Sequence, residues 1–466
     1  MTNSMQHVPS SEKSYTPPFA AEELSFAEAV SLAADTGTLT GDAGPLLETV
    51  IDMLDEAGRP DRYVDCIQIA GTNGKTSTAR FAAAILRGEG LNTALYTSPQ
   101  LVRYPERMEI NGTVVDDATF AHGVSVAVEA GRRVNAHRRA AGLQTYTITP
   151  FDLLTVAALV IFAERPVDVA VLEVGMGGRW DATSATDPVA VAITGIGLDH
   201  MHILGNTLGE IAQEKAAVIK PGRIVVLGEG VHDPEVEPVM MGQCQACNIA
   251  PLVAEHTLIH APEHIGDATT LQVTTPRTTY TVSLRKPAYQ AQNAACAIML
   301  AEAYCARELA QDALEASLLN CPTPGRFDVL STYPLVLVDA CHNPQSCATF
   351  VSSLDEIAPQ VDERPVLLVA ALKDKDVSGI VEHLLPAFPR VVVTQTASDR
   401  AVPHEELAEL VRTELDHAGR PADDLVGVYP TVADAVEHLQ GCGHAFVAAG
   451  TITLAGEVTA YFRGQR

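Results

Sequence analysis

The chain has 466 residues, more than one hydrophobic core usually supports, so we expect two domains that need no disulfides. Hydrophobic residues (47%) and charged residues (19%) occur in the proportions of a folded protein, which excludes a disordered chain. The formal net charge of −27 repels phosphates, so we expect neither a nucleic-acid partner nor an anionic membrane partner.

The N-terminal segment, residues 1–24, is polar and rich in proline and serine. It lacks the apolar stretch of a signal peptide, so it predicts a flexible tail on a cytoplasmic protein with reduced thiols. Among the nine cysteines, Cys244 and Cys247 form a CxxC pair. No second pair lies nearby, so we interpret it as a pair on a helix surface, with metal or redox use as the alternative.

Short runs rich in valine and isoleucine alternate with helix-like segments in the first part of the chain. The predicted buried strands are residues 66–70, 167–173, 190–194 and 224–227. The longest apolar stretch, residues 153–163, is shorter than the roughly 18–20 residues that span a bilayer, so we predict a buried helix. This alternation predicts an α/β fold with a mostly parallel sheet covered by helices on both faces.

A second α/β series follows a segment rich in proline and glycine at residues 320–326, where we place the hinge. Its predicted strands are 335–339, 366–370, 390–394 and 445–449, and its predicted helices include 404–414 and 432–439. We therefore expect a central domain at 25–322 and a C-terminal domain at 323–466.

A glycine loop follows the first strand and precedes a helix, which is the context of a phosphate-binding loop. Its residues are Gly71, Thr72, Asn73, Gly74, Lys75 and Thr76. Backbone N–H groups and Lys75 would hold ATP phosphates, and the Thr76 hydroxyl would face Mg²⁺. The loop is shorter than GxxxxGK[ST], and the alternative is a glycine turn with a surface lysine.

Polar residues follow the next two predicted strands. Glu173 ends one of them beside a glycine-rich run and could ligate a divalent cation, although a salt bridge is the alternative. Asp199 and His200 follow the other, at the edge where open α/β sheets bind ligands, or they are ordinary loop residues. Lys215 lies in a helix where a lysine is ordinarily solvated, and its residue type alone predicts no role.

In the second series, Asp339, His342 and Asn343 directly follow an apolar strand. Three polar side chains at a strand-to-helix turn would face a cleft if the two domains close. The alternative interpretation is that they cap the helix.

In this order, the segments resemble the folylpolyglutamate synthase/dihydrofolate synthase family of the Mur ligase superfamily, from Leu46 to the C-terminus. The landmarks are AGTNGKTS (70–77), TSPQL (97–101), ERMEING (106–112), TPFD (149–152), LEVGMGGRWDATSATDP (172–188), LDHMHILGNTLGEIAQEKAAVIK (198–220), QAQNAA (290–295), PGR (324–326), DACHNP (339–344) and LKDKD (372–376). The resemblance implies a P-loop ATPase domain with a mostly parallel sheet, followed by a smaller Rossmann-like domain.

The resemblance also implies roles for individual residues. Residues that would bind the nucleotide are Gly71, Thr72, Asn73, Gly74, Lys75, Thr76, Asn293, Arg326 and Asp339. Residues that would ligate Mg²⁺ are Thr76, Ser98, Glu173 and His200. Residues that would act in catalysis are Lys75, His200, Lys215, Arg326, Asp339 and His342, with Lys215 carbamylated to N6-carboxylysine. Residues that would bind the pterin are Thr149, Phe151, Asp181 and Ala182.

The implied reaction is ATP-dependent addition of L-glutamate to dihydropteroate and to reduced folates through an acyl phosphate. The resemblance also implies a monomeric enzyme that uses Mg²⁺, with a monovalent cation as a further candidate cofactor. The alternatives are polyglutamate synthesis alone, another Mur-type ligase acting on a UDP-sugar peptide, or a P-loop ATPase without ligase activity. An ATPase would not need the DACHNP and LKDKD segments.

Four positions depart from the family pattern. Gln100 replaces a histidine, Asp152 a glutamate, Ala340-Cys341 a Gly-Ala pair, and PAYQ (287–290) a Gly-x-His-Gln. The first two lie on the side that we expect to contact substrate. They bear on which folate is used.

Overall fold

The computed structural model describes residues 14–35, 37–39, 46–199 and 201–464. The chain forms two compact units. Unit 1 contains Met1–Thr257, Gln272–Val282 and Gln292–Cys321, and unit 2 contains Leu258–Leu271, Ser283–Ala291 and Pro322–Arg466. Two short segments that precede residue 292 therefore belong to unit 2, whereas the sequence predicted a single boundary between the domains near residue 322.

The helices of the described residues are α1 (Phe26–Ala34), α2 (Leu47–Glu56), α3 (Lys75–Gly88), α4 (Asp117–Ala140), α5 (Pro150–Ala163), α6 (Met201–Leu204), α7 (Leu208–Ala216), α8 (Glu237–Ala246), α9 (Ala291–Cys305), α10 (Gln311–Leu319), α11 (Pro344–Ile357), α12 (Val377–Leu384), α13 (His404–His417), α14 (Val432–Gly441) and α15 (Ile452–Phe462).

The strands are β1 (Asp65–Ala70), β2 (Thr93–Tyr96), β3 (Met108–Ile110), β4 (Thr113–Val114), β5 (Val169–Glu173), β6 (Ala190–Gly195), β7 (Ile224–Gly230), β8 (Leu252–Ala254), β9 (Thr257–His260), β10 (Thr269–Thr274), β11 (Thr279–Leu284), β12 (Asp328–Thr332), β13 (Leu335–Val338), β14 (Val366–Val369), β15 (Val391–Thr394), β16 (Leu425–Tyr429) and β17 (Phe446–Ala449). A small three-stranded sheet has the order β11-β10-β9.

Unit 1 is built on an eight-stranded sheet of order β4-β3-β2-β5-β1-β6-β7-β8. Strands β2, β5, β1, β6, β7 and β8 pair in parallel. The registers Ile69↔Glu173 and Ala70↔Ile193 place the carboxyl ends of β5, β1 and β6 at one edge. The segments that leave these three strands therefore start side by side, which is the usual ligand-binding edge of such a sheet.

The predicted parallel sheet is confirmed, and its central strands are buried as their apolar sequences require. Helix α5 is buried along nearly its whole length, as predicted for the longest apolar stretch. The sequence analysis missed β3 and β4, which pair antiparallel at the edge. They are two or three residues long and lack a continuous apolar run.

Unit 2 contains a six-stranded sheet of order β12-β13-β17-β14-β15-β16. Its strands pair in parallel except for the antiparallel pair of β12 and β13. The inner strands β17, β14 and β15 are buried, and α11, α12 and α13 contribute apolar side chains to the same core. The second α/β series predicted from the sequence is therefore present.

Two sequence interpretations need correction. Residues 14–24 lie within the expected tail, yet Tyr15 is 6% exposed and its hydroxyl donates to Ala57 O at 2.7 Å, so this part belongs to the folded unit 1. Cys244 is buried on α8 rather than at a helix surface, because it packs in the core beside β7. All nine cysteines lie among the described residues and none is in a disulfide.

None of the helices within the described ranges combines the length and apolar character that crossing a membrane requires.

Candidate active site

The glycine loop of unit 1 begins at the end of β1 and leads into α3. Gly71 and Gly74 have φ values of +145° and +83°. A Cβ at Gly71 would lie 2.1 Å from Thr194 Oγ1, and one at Gly74 would lie 2.2 Å from Asn293 Oδ1. Both positions therefore require glycine, because a side chain would meet both backbone strain and a neighbouring polar group.

Hydrogen bonds fix the loop to the segment that follows β6. Thr72 N donates to Gly195 O at 2.8 Å, and Gly197 N donates to Thr72 Oγ1 at 3.0 Å. Thr194 Oγ1 donates to Asn73 O at 2.6 Å. The loop is thus held in shape before any ligand binds.

Lys75 is the first residue of α3, and its side chain folds over the loop. Its Nζ donates to Gly71 O at 3.0 Å and to Thr72 O at 2.9 Å. A cation here, beside the N-terminus of a helix, creates a positive region at the sheet edge. This arrangement suits anionic oxygens such as those of a nucleotide.

Thr76 and Glu173 form a compact group of oxygen atoms beside the loop. Thr76 Oγ1 donates to Glu173 Oε1 at 2.7 Å, and Ser98 N donates to Glu173 Oε2 at 3.0 Å. Glu173 is 1% exposed, so its carboxylate is held on both oxygens in a buried position. The sequence prediction named Thr76, Ser98 and Glu173 together, and in the structure the Thr76 hydroxyl and the Ser98 backbone N–H each contact the Glu173 carboxylate.

The oxygen chemistry of this group fits Mg²⁺, which binds one or two carboxylates and takes its remaining oxygens from hydroxyls, water and substrate phosphates. Among the described residues, no cluster of three or more His, Cys, Asp or Glu side chains forms a complete metal site. His200, the fourth predicted ligand, lies outside the described residues. Asp199 precedes it and is partly exposed.

Lys215 lies in the last turn of α7 and contradicts the expectation of a solvated lysine. It is 4% exposed, and its Nζ donates to Gly71 O at 2.9 Å. Burial, followed by the charge of Lys75, lowers the pKa of Lys215 to about 7. Because Lys215 and Lys75 both donate to Gly71 O, the two amines share one carbonyl at the base of the phosphate loop.

Asn293 is buried on α9, and its side-chain amide lies against Gly74. Thr78 Oγ1 donates to Asn293 O at 3.5 Å, so α3 and α9 meet beside the loop. The side chain of Asn293, on α9, therefore lies beside the first turn of α3, next to the predicted nucleotide site.

The predicted substrate residues lie at the same sheet edge of unit 1. Phe151 stacks on Tyr96 with ring centroids 5.8 Å apart, and a Cβ at Gly175 would lie 2.7 Å from Phe151 Cζ. Asp181 accepts from Met176 N at 3.0 Å and from Thr183 Oγ1 at 2.5 Å. Burial raises the pKa of Asp181. The neighbouring Ala182 is buried.

Thr149 has a structural role that the sequence analysis did not assign. It is the N-cap of α5 and accepts from Asp152 N at 3.2 Å, while Thr149 N donates to Asp152 Oδ2 at 2.9 Å. This capping box explains why an aspartate is compatible with the TPFD position, since its carboxylate reaches the N-cap backbone.

Unit 2 brings Arg326, Asp339 and His342 together at the carboxyl end of β13. Asp339 accepts from Phe327 N at 2.8 Å and from Cys341 N at 2.9 Å. Arg326 Nη1 lies 3.3 Å and His342 Nδ1 lies 2.9 Å from Ala340 O. Burial raises the pKa of Asp339, and the charge of Arg326 opposes that increase.

This turn also caps α11, as the alternative interpretation proposed. Asn343 is the N-cap, and its side chain accepts from Ser346 N at 2.8 Å. The capping role therefore falls on Asn343. Ala340 supplies the backbone carbonyl that Arg326 and His342 share, so the departure at Ala340 leaves this contact in place.

Two residues that shape the site were missed. Thr194 holds the phosphate loop, and Glu106 accepts from Leu101 N at 3.0 Å and Val102 N at 2.9 Å, which fixes the TSPQL segment. Gln100 accepts from Arg107 Nε at 2.6 Å. The polar residues of ERMEING (106–112), which follow TSPQL (97–101) after residues 102–105, were the available signal for these contacts of Glu106 and Arg107.

Two domain families match the chain: the Mur ligase middle domain over residues 69–227 and the Mur ligase glutamate ligase domain over residues 325–451. The dihydrofolate synthase/folylpolyglutamate synthase of Mycobacterium tuberculosis is 34% identical over 381 residues, covering 78% of this chain and 77% of the relative. The probable bifunctional folylpolyglutamate synthase/dihydropteroate synthase of Haloferax volcanii is 33% identical over 399 residues. The match covers 84% of this chain but 45% of that relative, so the chain spans about half its length.

Solved structures show the same architecture. Mycobacterium tuberculosis folylpolyglutamate synthase complexed with ADP has a TM-score of 0.82 and 29% identity, covering 94% of this chain and 98% of that one. The bifunctional enzyme of Yersinia pestis complexed with AMPPNP and a Mn ion has a TM-score of 0.75 and 25% identity, covering 96% and 100%. The chain belongs to the folylpolyglutamate synthase/dihydrofolate synthase family of the Mur ligase superfamily.

Proposed function

We propose that the protein is an ATP-dependent amide ligase that adds L-glutamate to dihydropteroate, giving dihydrofolate, and to the γ-carboxyl of reduced folates, giving polyglutamates. The observation that carries the proposal is the group formed by Lys75, Thr76 and Glu173 at the sheet edge. In a chain of this family, such a group serves phosphoryl transfer rather than mere nucleotide binding.

In the proposed reaction, an oxygen of the substrate carboxylate attacks the γ-phosphorus of ATP, and ADP leaves. The amine of glutamate then attacks the acyl carbon, inorganic phosphate leaves, and the amine loses a proton. Lys75 would neutralise charge on the transferred phosphoryl group, from a position already fixed by the loop carbonyls.

Thr76, Ser98 and Glu173, with His200, would hold Mg²⁺. When bound, the ion would offset the negative charge of the phosphates. Asn293 would contact adenine beside Gly74, where its amide already lies. Arg326 would contact the phosphates, and Asp339 and His342 would contact the ribose and the reacting groups.

We also propose that Lys215 is carbamylated. An amine must be neutral to react with CO₂, and the lowered pKa of Lys215, about 7, makes a large neutral fraction available near neutral pH. A carbamate would replace a buried ammonium that lies beside Lys75 with an anion, which removes the repulsion between two cations.

The substrate site is proposed at Thr149, Phe151, Asp181 and Ala182, where the Phe151 ring and the Asp181 carboxylate offer an aromatic face and a polar group. The finer proposals are that a monovalent cation assists, that the enzyme is a monomer in the cytoplasm, and that the main boundary between its two domains lies near residue 322.

Release of inorganic phosphate from ATP tests the proposed function. Glutamate should stimulate release with dihydropteroate and, separately, with tetrahydrofolate, and mass spectrometry should show products heavier by one glutamate. Lys75→Ala should lower both rates by about 100-fold or more, because the loop loses its cation. Arg87→Ala, which removes an exposed cation from the last turn of the same helix, is the matched control.

Glutamate-dependent release with tetrahydrofolate alone would restrict the function to polyglutamate synthesis. The proposal fails if neither folate substrate supports glutamate-dependent release, or if Lys75→Ala is as active as Arg87→Ala.

A further inference from the structure

Gln68 is a buried polar side chain on β1, the strand that leads into the phosphate loop. It lies two residues before Ala70, where β1 ends, and it is 1% exposed. Its register partners are Leu172 on β5 and Val191 on β6, so it sits among three strands that are mostly apolar. A buried amide in such a place is costly unless hydrogen bonds satisfy it, so its partners indicate its role.

The partners of Gln68 are two neighbouring hydroxyls. Gln68 Nε2 donates to Thr183 Oγ1 at 2.8 Å and to Ser184 Oγ at 2.9 Å. Both hydroxyls belong to the short segment that follows Asp181, and Thr183 is 115 residues from Gln68 in the chain. One amide nitrogen therefore joins the strand of the phosphate loop to the segment that carries Asp181.

Each of the two hydroxyls uses its own proton elsewhere. Thr183 Oγ1 donates to Asp181 Oδ1 at 2.5 Å, and Ser184 Oγ donates to Gly178 O at 2.6 Å. An ionised carboxylate and a carbonyl oxygen can only accept, so both hydroxyls must accept from Gln68. The amide nitrogen, which carries two protons, therefore faces them, and the direction of all four hydrogen bonds is fixed.

This arrangement lets Gln68 act on the Asp181 carboxylate through Thr183. Asp181 Oδ1 accepts from the Thr183 hydroxyl and from Thr183 N at 3.0 Å, while Oδ2 accepts from Met176 N. The Thr183 hydroxyl can rotate about its C–O bond. A proton donated by Gln68 to the Thr183 oxygen keeps the hydroxyl proton directed at Asp181. Without that donor, the hydroxyl would be free to turn away from the carboxylate.

We propose that Gln68 is a positioning residue for the pterin-bearing substrate, because it holds the Asp181 carboxylate in a fixed orientation through the Thr183 hydroxyl. The inference rests on the proposed function, in which Asp181 binds the pterin. A carboxylate can accept two N–H groups of a planar heterocycle only when its own orientation is fixed. Gln68 acts through Asp181 and not by contact with the substrate.

Steady-state kinetics of Gln68→Met test this role. Methionine has nearly the length of glutamine but carries no hydrogen-bond donor. KM for dihydropteroate should rise by roughly 3- to 10-fold, because a charge-assisted hydrogen bond to Asp181 is loosened, and KM for ATP and for glutamate should stay unchanged. Gln243→Met is the matched control, since it removes another glutamine amide of unit 1, which donates to Ile219 O at 2.9 Å; all three constants should remain those of the wild type.

The pH profile of kcat/KM for dihydropteroate supplies a readout that a loss of stability would not move. Burial raises the pKa of Asp181, and the hydrogen bond from the Thr183 hydroxyl opposes that increase. In Gln68→Met the acidic limb should therefore shift to higher pH, by roughly half a unit or more, because only the ionised carboxylate accepts from the pterin. Other titratable groups that interact with Asp181 are the same in both proteins: Asp152, Tyr96 and Lys215.

A double-mutant cycle tests whether the effect passes through Thr183. Thr183→Ala removes the hydroxyl that links Gln68 to Asp181, so it should raise KM for dihydropteroate as Gln68→Met does. The double variant should add little to either single change, since each one breaks the same link. Every variant is first shown to unfold cooperatively. Gln68→Glu has nearly the shape of the wild type but its carboxylate donates to neither hydroxyl, and it replaces Gln68→Met if that variant does not fold.

The outcomes separate the two proposals. Equal changes in all three KM values, an unshifted acidic limb, or additive effects of Gln68→Met and Thr183→Ala would overturn the positioning role and leave the ligase proposal standing. If the wild-type protein forms no product from dihydropteroate and glutamate, the dihydropteroate activity fails, and the positioning role fails with it.

Discussion

Lys215 and Lys75 both donate to the backbone carbonyl of Gly71, although they lie far apart in the chain. Two ammonium groups in a largely buried place repel each other, and burial adds to the cost of charging Lys215. The protein can relieve this cost by leaving Lys215 neutral or by converting it to a carbamate. The second choice would create a carboxylate next to the phosphate loop.

If Lys215 acts as a carbamate, Lys215→Ala should lower kcat by roughly 10- to 100-fold, as for loss of a group that orients a metal site. Added acetate or propionate should restore part of that loss, because a free carboxylate can enter the space left by the side chain. Phosphate release at increasing carboxylate concentration measures the effect. Lys75→Ala is the control, since an anion cannot replace its ammonium; equal restoration of both variants would refute the carbamate.

Local sequence patterns predicted some of the site residues and missed others. Lys75, Thr76 and Glu173 were found because a glycine loop between strand and helix, and a carboxylate at a strand end, are local patterns. The burial of Lys215 was not predicted, because it depends on where α7 packs relative to the phosphate loop. Thr194 was missed for the same reason: a threonine at a strand end has no distinctive pattern.

Three elements of unit 1 meet at His122 on α4. Its Nδ1 lies 2.8 Å from Glu23 Oε1, in the segment before α1, and its Nε2 lies 3.1 Å from Glu164 Oε1, at the end of α5. Glu164 first, and then Glu23, raises the pKa of His122 to about 9, against partial desolvation. A protonated His122 can donate to both carboxylates, so this ion pair helps to join the segment before α1 to α4 and α5.

The raised pKa predicts how stability changes with pH. The folded protein holds the His122 proton up to about pH 9, whereas the unfolded chain releases it near the ordinary histidine pKa of 6.5. The contribution is therefore fully present below pH 6.5 and is lost as pH rises to 9. The free energy of unfolding, measured by urea denaturation, should decline over this window in the wild-type protein and decline less in His122→Gln.

His137→Gln is the matched control, because His137 lies on the same helix and faces one carboxylate at 3.4 Å while largely exposed. Its pH profile should follow that of the wild type. Since the His122 side chain is 35% exposed, solvent screening keeps the effect modest. Identical pH profiles for wild type and His122→Gln would contradict a stabilising role for this ion pair.

Element prediction succeeded where one physical signal dominated. The strands that were predicted in both sheets have continuous apolar runs, and α5 begins at Pro150 directly after the capping Thr149. The strands β10 and β11 were missed because they alternate polar and apolar residues and so lack the continuous apolar run that marked the predicted strands. Such strands depend on cross-strand partners, which a single segment does not reveal.

The whole molecule has two units whose segments interleave in the chain, since residues 258–271 and 283–291 belong to unit 2. The proline and glycine at 320–326 marked the last crossing between units, but the earlier crossings carry no comparable composition change. A domain boundary can be predicted when a linker marks it. A short segment that belongs to the other unit can be identified only from its contacts in the three-dimensional structure.

The net charge of −27 also acts on the whole molecule. Like charges repel in the compact state more than in the expanded unfolded chain, and salt screens that repulsion. Raising NaCl from about 10 to 300 mM at pH 7 should therefore raise the melting temperature, by roughly 1 to 3 °C for each 1 kcal/mol gained. The gain should largely vanish near the sequence pI of about 4.8, where net repulsion is small. Differential scanning calorimetry at both pH values measures it; a melting temperature that falls with salt at pH 7 would show that screening weakens surface ion pairs more than it relieves net repulsion.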